Sequence, residues 1–359
     1  GAMIAQGDFE KCCELWEDVK YSMVIDANDD EIVRLKNLKL DKEDLILLAE
    51  KLKSIISDRG FDITPFKNLL NTYIDEEKLR NSNIDFGLVT VDLTNFKPVE
   101  IFIEDIPEGE LKTYILASAY IPTFKKEKFG GIRYLDGAFY DNLPFKLLKS
   151  KGYNDLIIVR THARGFTRRI SSYNLNTIII SPSDDIGKTY DVDKDKAKSN
   201  IQLGYFDGLK AIRGLKGFKY YIDSDKDEDY FLERLFSISD DQIKQIRLHI
   251  KTPKLPDRRV FFEYIIPKLA SVMGLKKDFT YEDFIIGFLE KRAEASHIER
   301  FKIYKYDELL DLIKCNPVIR EEEHDSTTLE KIIEKVDISN IFNKEDLILK
   351  IAGIILCNE

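Results

Sequence analysis

Cysteine is scarce and unpatterned: Cys12, Cys13, Cys315 and Cys357 are the only four in 359 residues. No spacing among them suits a metal site, and two adjacent cysteines on a helix point to different faces. Reduced, packing thiols in a cytoplasmic protein are the expectation. Long apolar runs are absent as well. Residues 347–357 are the nearest approach and are far too short to span a bilayer. No secretory leader is visible. Positive charge is in deficit, with 55 Lys and Arg against 64 Asp and Glu for a net charge of −9. That balance argues against a nucleic-acid partner, which wants a basic face. It also gives no general pull toward anionic lipid, so any membrane contact should be transient, local and apolar. Internal repeats and low-complexity tracts are missing too. What remains is a composition of 43% hydrophobic and 33% charged residues, that of a globular protein long enough for two domains.

Residues 8–19 predict a helix capped by Asp8, with Phe9, Cys12, Cys13, Leu15 and Trp16 as its apolar face. Asp41 heads a second helix, on which Leu45, Leu48, Leu52, Ile55 and Ile56 recur at helical spacing. Thr64 and Pro65 suit the cap and first turn of a third, running to about Tyr73. β-Branched runs at 88–93, 156–161 and 177–181 alternate with helical stretches. This pattern predicts an α/β fold with a mainly parallel sheet covered on both faces, a three-layer arrangement. A helix over 194–213 starts near Asp193. The polar run 223–229 marks a boundary between domains 1–222 and 223–359. Beyond it, 231–248, 259–273, 281–298, 307–315, 328–336 and 344–357 all show helical apolar spacing, so the C-terminal region is expected to be all-helical.

The most informative stretch is Tyr134-Leu135-Asp136-Gly137-Ala138-Phe139. Residues 132–135 read as a short strand and Asp136-Gly137 as the turn that ends it. A carboxylate at a strand end, with no side-chain bulk beside it, is well placed against a reacting group. The plain alternative is an ordinary hairpin turn, since Asp-Gly is common there. Upstream lies Ala117-Ser118-Ala119-Tyr120-Ile121-Pro122. Together the two segments resemble the ASxxxP and DG(G/A) elements of the patatin-like phospholipases in their bacterial form. The flanking runs 85–93, 98–102, 111–119, 178–183 and 200–207 follow in that family's order, so the resemblance covers about residues 1–217. It implies a lipid acyl hydrolase, of phospholipase A or related carboxylic-ester type, that needs no cofactor. It implies a Ser-Asp dyad with Asp136 as the base, and an open approach kept by Gly137 and Ala138.

That family also requires a glycine-rich oxyanion loop and a GxSxG nucleophile elbow, and the sequence contains neither. No serine has glycines two before and two after it, and Gly130-Gly131 is too short a run for the loop. Residues 1–8 resemble the middle of the helix that follows the nucleophile, although Gly1-Ala2-Met3 could equally be native or a tag scar. The expectation is that the first strand, the loop and the serine lie N-terminal to this chain, which alone should be inactive. A retained N-terminal piece, an element from a second copy or a rearranged sheet would then complete the sheet. The alternative is a catalytically degenerate member of the family that acts as a binding module.

His162 is the rival base, because Asp136 followed by His162 has the order of a Ser-Asp-His triad. The resemblance uses no histidine, and Arg160, Arg164, Arg168 and Arg169 would disfavour an imidazolium. Those arginines form a dense basic patch: a solvated loop, or, through Arg164 and Arg168, a contact to lipid phosphate. Asp141 reads as the cap of a helix beginning near Pro144. Asp191, Asp193 and Asp195 alternate like a calcium loop, but Lys196 stands where glycine is required and Gln202 where the closing glutamate belongs. The 223–229 run fails likewise at Arg234. A helix start and a solvated linker are expected instead, with no metal.

Overall fold

The computed structural model describes residues 1–26, 28–29, 60–162, 175–187, 193–316 and 341–357. The helix headed by Asp41, the 328–336 helix, Asp191 and the arginines Arg164, Arg168 and Arg169 lie outside these. The backbone groups into two compact units, Gly1–Tyr205 and Phe206–Glu359. The break falls inside a long helix, upstream of the polar run at which the sequence pattern places the boundary.

The first unit contains helices α1 (Ala2–Ala5), α2 (Phe9–Glu17), α3 (Thr64–Tyr73) and α4 (Glu76–Arg80) ahead of its first described strand. There follow β1 (Gly87–Asp92), β2 (Lys97–Phe102), α5 (Leu111–Ser118), β3 (Tyr134–Asp136) and α6 (Phe145–Ser150). Strands β4 (Asp155–Val159) and β5 (Asn176–Ile180) precede α7 (Lys194–Arg213), which crosses into the second unit. Asp8 stands at the N-cap of α2 but does not cap it with its side chain. Its carboxylate turns to Lys78, 2.9 Å away, and to Gln6 at 2.6 Å.

Mixed α/β architecture is what the sequence predicts, yet the described strands do not join in one mainly parallel sheet. They form a three-stranded sheet of order β2-β1-β3, antiparallel throughout, and a separate parallel pair β4-β5. The reason at β1-β2 is the connection, residues 93–96, which is too short for a parallel crossover. Asp92 closes it: Oδ1 accepts the Thr94 and Asn95 amides at 2.8 and 2.9 Å, and Oδ2 accepts the Asn95 side chain at 2.8 Å. Strand β1 is buried on both faces. Leu88 joins Ile63, Leu79, Leu111 and Leu116 in the larger cluster, while Val89 packs with Phe102 and Leu147 on the other side.

In the second unit, helices α8 (Glu228–Phe236) and α9 (Asp240–His249) replace the single helix expected over 231–248. The break comes from Ser239, which makes a reciprocal capping box with Gln242. Helix α10 (Asp257–Val260) continues through a π-turn, Phe261–Ile265, into α11 (Ile266–Val272). Helices α12 (Tyr281–Ala295), α13 (Tyr306–Cys315) and α14 (Ile341–Ala352) complete the described set. A short parallel pair, β6 (Tyr221–Asp223) with β7 (Ile303–Lys305), departs from the all-helical expectation for this region. Phe231, Leu235, Ile243, Phe261, Phe284, Phe288 and Leu309 are fully buried in the unit's core.

Charged side chains are buried in this unit too, Asp207, Glu290 and Arg292. Oε1 of Glu290, on α12, accepts three consecutive amides, from Phe218 and Lys219 at 2.8 Å and Tyr220 at 2.7 Å. From the other side, Lys210 Nζ donates to the Phe218 carbonyl at 2.9 Å. Gly217 has φ of +91°, and a Cβ there would lie 2.8 Å from Glu290 Oε1. The carboxylate therefore pins a loop that only glycine can begin. Glu290→Ala should cost about 3 kcal/mol, because buried amides lose their acceptor. Glu290→Gln, which keeps an oxygen in place, should cost less. Urea denaturation of both variants checks this; equal losses would mean that volume, not the hydrogen bonds, is what matters.

Candidate active site

Asp136 is the last residue of β3, and its position is set by three neighbouring elements. Strand pairing places it opposite Thr90 of β1. Its amide donates to the Tyr120 carbonyl, just past α5, at 2.8 Å. Thr90, wholly buried, has its hydroxyl 2.9 Å from both the Ala117 and the Leu135 carbonyl oxygens. A single hydroxyl proton serves one of them at a time, so Thr90 ties the last turn of α5 to β3. The Ala117–Pro122 and Asp136–Ala138 segments, separate in sequence, are thus joined at β1. Sequence reasoning missed Thr90, although a polar residue amid Leu88, Val89 and Val91 was a usable signal.

The Asp136-Gly137 pair does not make a hairpin. The chain passes from Asp136 directly into a 3-10 turn, Gly137–Phe139. A Cβ on Gly137 would stand 2.2 Å from the Val89 carbonyl oxygen and 2.8 Å from its carbon, so backbone crosses backbone there with no room for a side chain. The Gly137 carbonyl then accepts the Tyr140 and Asp141 amides, both at 2.9 Å. Ala138, partly exposed, contributes its amide, which donates to Asp136 Oδ1 at 2.8 Å. Oδ2 of Asp136 makes no hydrogen bond among the described residues. Burial raises the Asp136 carboxyl above the ordinary carboxylate range, and the Ala138 amide only partly offsets it.

His162 is exposed, in a left-handed backbone conformation with φ of +54°. Among the described residues no hydrogen bond or ion pair joins it to Asp136. Asp141 is buried, and its Oδ1 accepts the Leu143 amide at 3.1 Å, ahead of α6 rather than at its cap, which is Pro144. Asp193 Oδ1 accepts the Lys196 amide at 2.8 Å, and Asp227 accepts that of Tyr230 at 2.9 Å, each starting a helix. No group of three or more His, Cys, Asp or Glu among the described residues could hold a metal ion. No disulfide forms at the four cysteines. Among the described residues no helix is long and apolar enough to cross a membrane.

What fold and site define is a mixed α/β unit with a half-buried carboxylate presented at a strand end. Residues 1–149 match the model of a known family, Patatin-like phospholipase, so this part of the chain is similar to a family of lipid hydrolases. The matched stretch includes both Ala117–Pro122 and Asp136–Ala138. No curated protein matches the chain.

The raised Asp136 carboxyl has a consequence for stability. The folded chain holds that proton more tightly than the unfolded chain, so ionised Asp136 costs stability, and the cost appears as pH rises through the folded value. Asp136→Asn should therefore be at least as stable as the unaltered protein at pH 7. Its advantage should shrink as pH falls below the raised value toward the ordinary carboxylate range. Thermal melts across that span measure it; a neutral-pH loss above about 1 kcal/mol would contradict the assignment of burial as the dominant cause.

Proposed function

We propose that the protein is a lipid acyl hydrolase in which Asp136 is the general base of a Ser-Asp dyad. The observation that carries this reading is the carboxylate itself. One oxygen is fixed by the Ala138 amide, the other has no hydrogen bond among the described residues, and burial raises its proton affinity toward that of a working base. The family similarity of residues 1–149 supports the same chemistry. A serine is a weak nucleophile until a base takes its proton. In the proposed sequence Asp136 accepts the serine proton as the oxygen attacks the ester carbonyl. The alcohol leaves with a proton, and Asp136 then activates water against the acyl-serine. Because the sequence contains no GxSxG, the serine and the oxyanion donors are proposed to come from residues N-terminal to this chain. They would also supply the strand that extends the sheet toward the three-layer form. Arg164 and Arg168 are proposed to contact substrate phosphate, on the fit between guanidinium and phosphate.

In the protein with its upstream sequence, Asp136→Asn should lower turnover of a p-nitrophenyl ester by ~10²–10⁴. His162→Ala should change it little. Turnover near that of the unaltered protein in Asp136→Asn would remove the dyad, and a loss at His162 as large as at Asp136 would favour the triad. The 359-residue chain alone should show no turnover. Absence of a reactive serine in the encoding gene would favour a binding role instead.

A further inference from the structure

The chain is acidic overall, yet residues 247–259 carry five Lys and Arg against one Asp. This segment joins α9 to α10 in the second unit, and Arg247 organises it from within. Its Nε donates to Thr252 Oγ1 at 3.1 Å, its Nη1 to the Leu255 carbonyl at 3.3 Å and its Nη2 to that of Pro253 at 3.3 Å. The same guanidinium pairs with Asp257. Arg258 pairs with Asp240 at 3.0 Å and Arg259 with Glu263 at 2.9 Å. Those three cations are occupied. Lys251 and Lys254 are exposed and have no ionic partner among the described residues. Just upstream of them in sequence, at the end of α9, stands Leu248, 83% exposed, the most exposed leucine among the described residues. A leucine held in water, on the same short segment as two exposed lysines and beside a loop fixed from inside, does not serve the core of its own unit.

We propose that the Leu248–Lys254 corner of the second unit is a docking surface for anionic lipid headgroups. Leu248 enters the apolar boundary while Lys251 and Lys254 take the phosphates. Charge complementarity supplies the attraction, since clustered basic residues near an anionic membrane each add to binding. The aliphatic neighbour favours lipid over an acidic polypeptide: a bilayer surface offers phosphate and hydrocarbon within one side chain's depth, and a lysine stem can lie along that boundary. This goes beyond the hydrolase reading and does not depend on Asp136, because binding is measured without turnover.

The test is flotation of the full chain with phosphatidylcholine vesicles, with and without about a third phosphatidylserine, at low and high salt. Binding should require the anionic lipid and weaken with salt. The double variant Lys251→Glu/Lys254→Glu should reduce partitioning by about tenfold or more. Leu248→Ser should reduce it at both salt concentrations, and the control Lys149→Glu should leave it unchanged. Circular dichroism melts confirm that the variants are folded; if the double variant is not, Lys251→Gln/Lys254→Gln takes its place. No binding to anionic vesicles, or binding insensitive to the lysine changes, overturns the proposal. Capture by a polyglutamate matrix with no vesicle binding overturns it in favour of an acidic protein partner.

Discussion

Everything around Asp136 depends on the contact between Gly137 and the Val89 carbonyl. Because β1 is buried on both faces, its backbone cannot move aside for a side chain. Glycine is the one residue that lets the chain leave β3 across that strand. The crossing fixes where the 3-10 turn begins and so where the Ala138 amide points. That amide then orients the carboxylate. A site residue on a short strand, located by a backbone crossing and by the Tyr120 carbonyl, is held more accurately than one on a free loop.

Three half-buried or buried carboxylates in this chain show how burial and hydrogen bonding trade against each other. Burial pushes Asp92 up, but the Asn95 and Thr94 donors outweigh it and its carboxyl ends below the ordinary range. Glu290 receives three amides and burial still prevails, holding it above. Both have donors arranged to fix a piece of backbone, the β1-β2 turn in one case and the 217–220 loop in the other. Asp136 is different. It receives one donor, closes no long loop, and is left raised with one oxygen unengaged. A purely structural carboxylate would gain from more donors. The proposed role as proton acceptor draws on that shortage.

How much of this was legible in the sequence follows from the range of the forces involved. Helix starts at Asp193 and the strands near 88–93, 156–161 and 177–181 were legible, because capping and β-branched runs act over a few residues. Asp136-Gly137 was legible as the end of a strand, but not the turn that follows it. Alone the dipeptide also described a hairpin, and what excludes the hairpin is a carbonyl 48 positions upstream. Strand direction was not legible, since pairing is decided by connections and partners that a local pattern does not contain. Glu290 was missed, although a charged residue between Ile286, Leu289 and Ala293 on an apolar helix face was a visible anomaly. The split of 231–248 was missed in the same way: Ser239 and Gln242 carried the capping-box signal, but the apolar spacing runs through it.

Net charge says little about any single contact, for a further reason. A value of −9 describes the whole chain, but at physiological ionic strength a charge is felt over only about 8 Å. A lipid headgroup or an approaching partner therefore meets the nearest few side chains and not the sum. Over residues 247–259 the acidic surplus is reversed, and three of the five cations there are spent on internal ion pairs. Only the two lysines left over can act outward. Pairing, more than count, decides which part of an acidic protein can face an anionic surface.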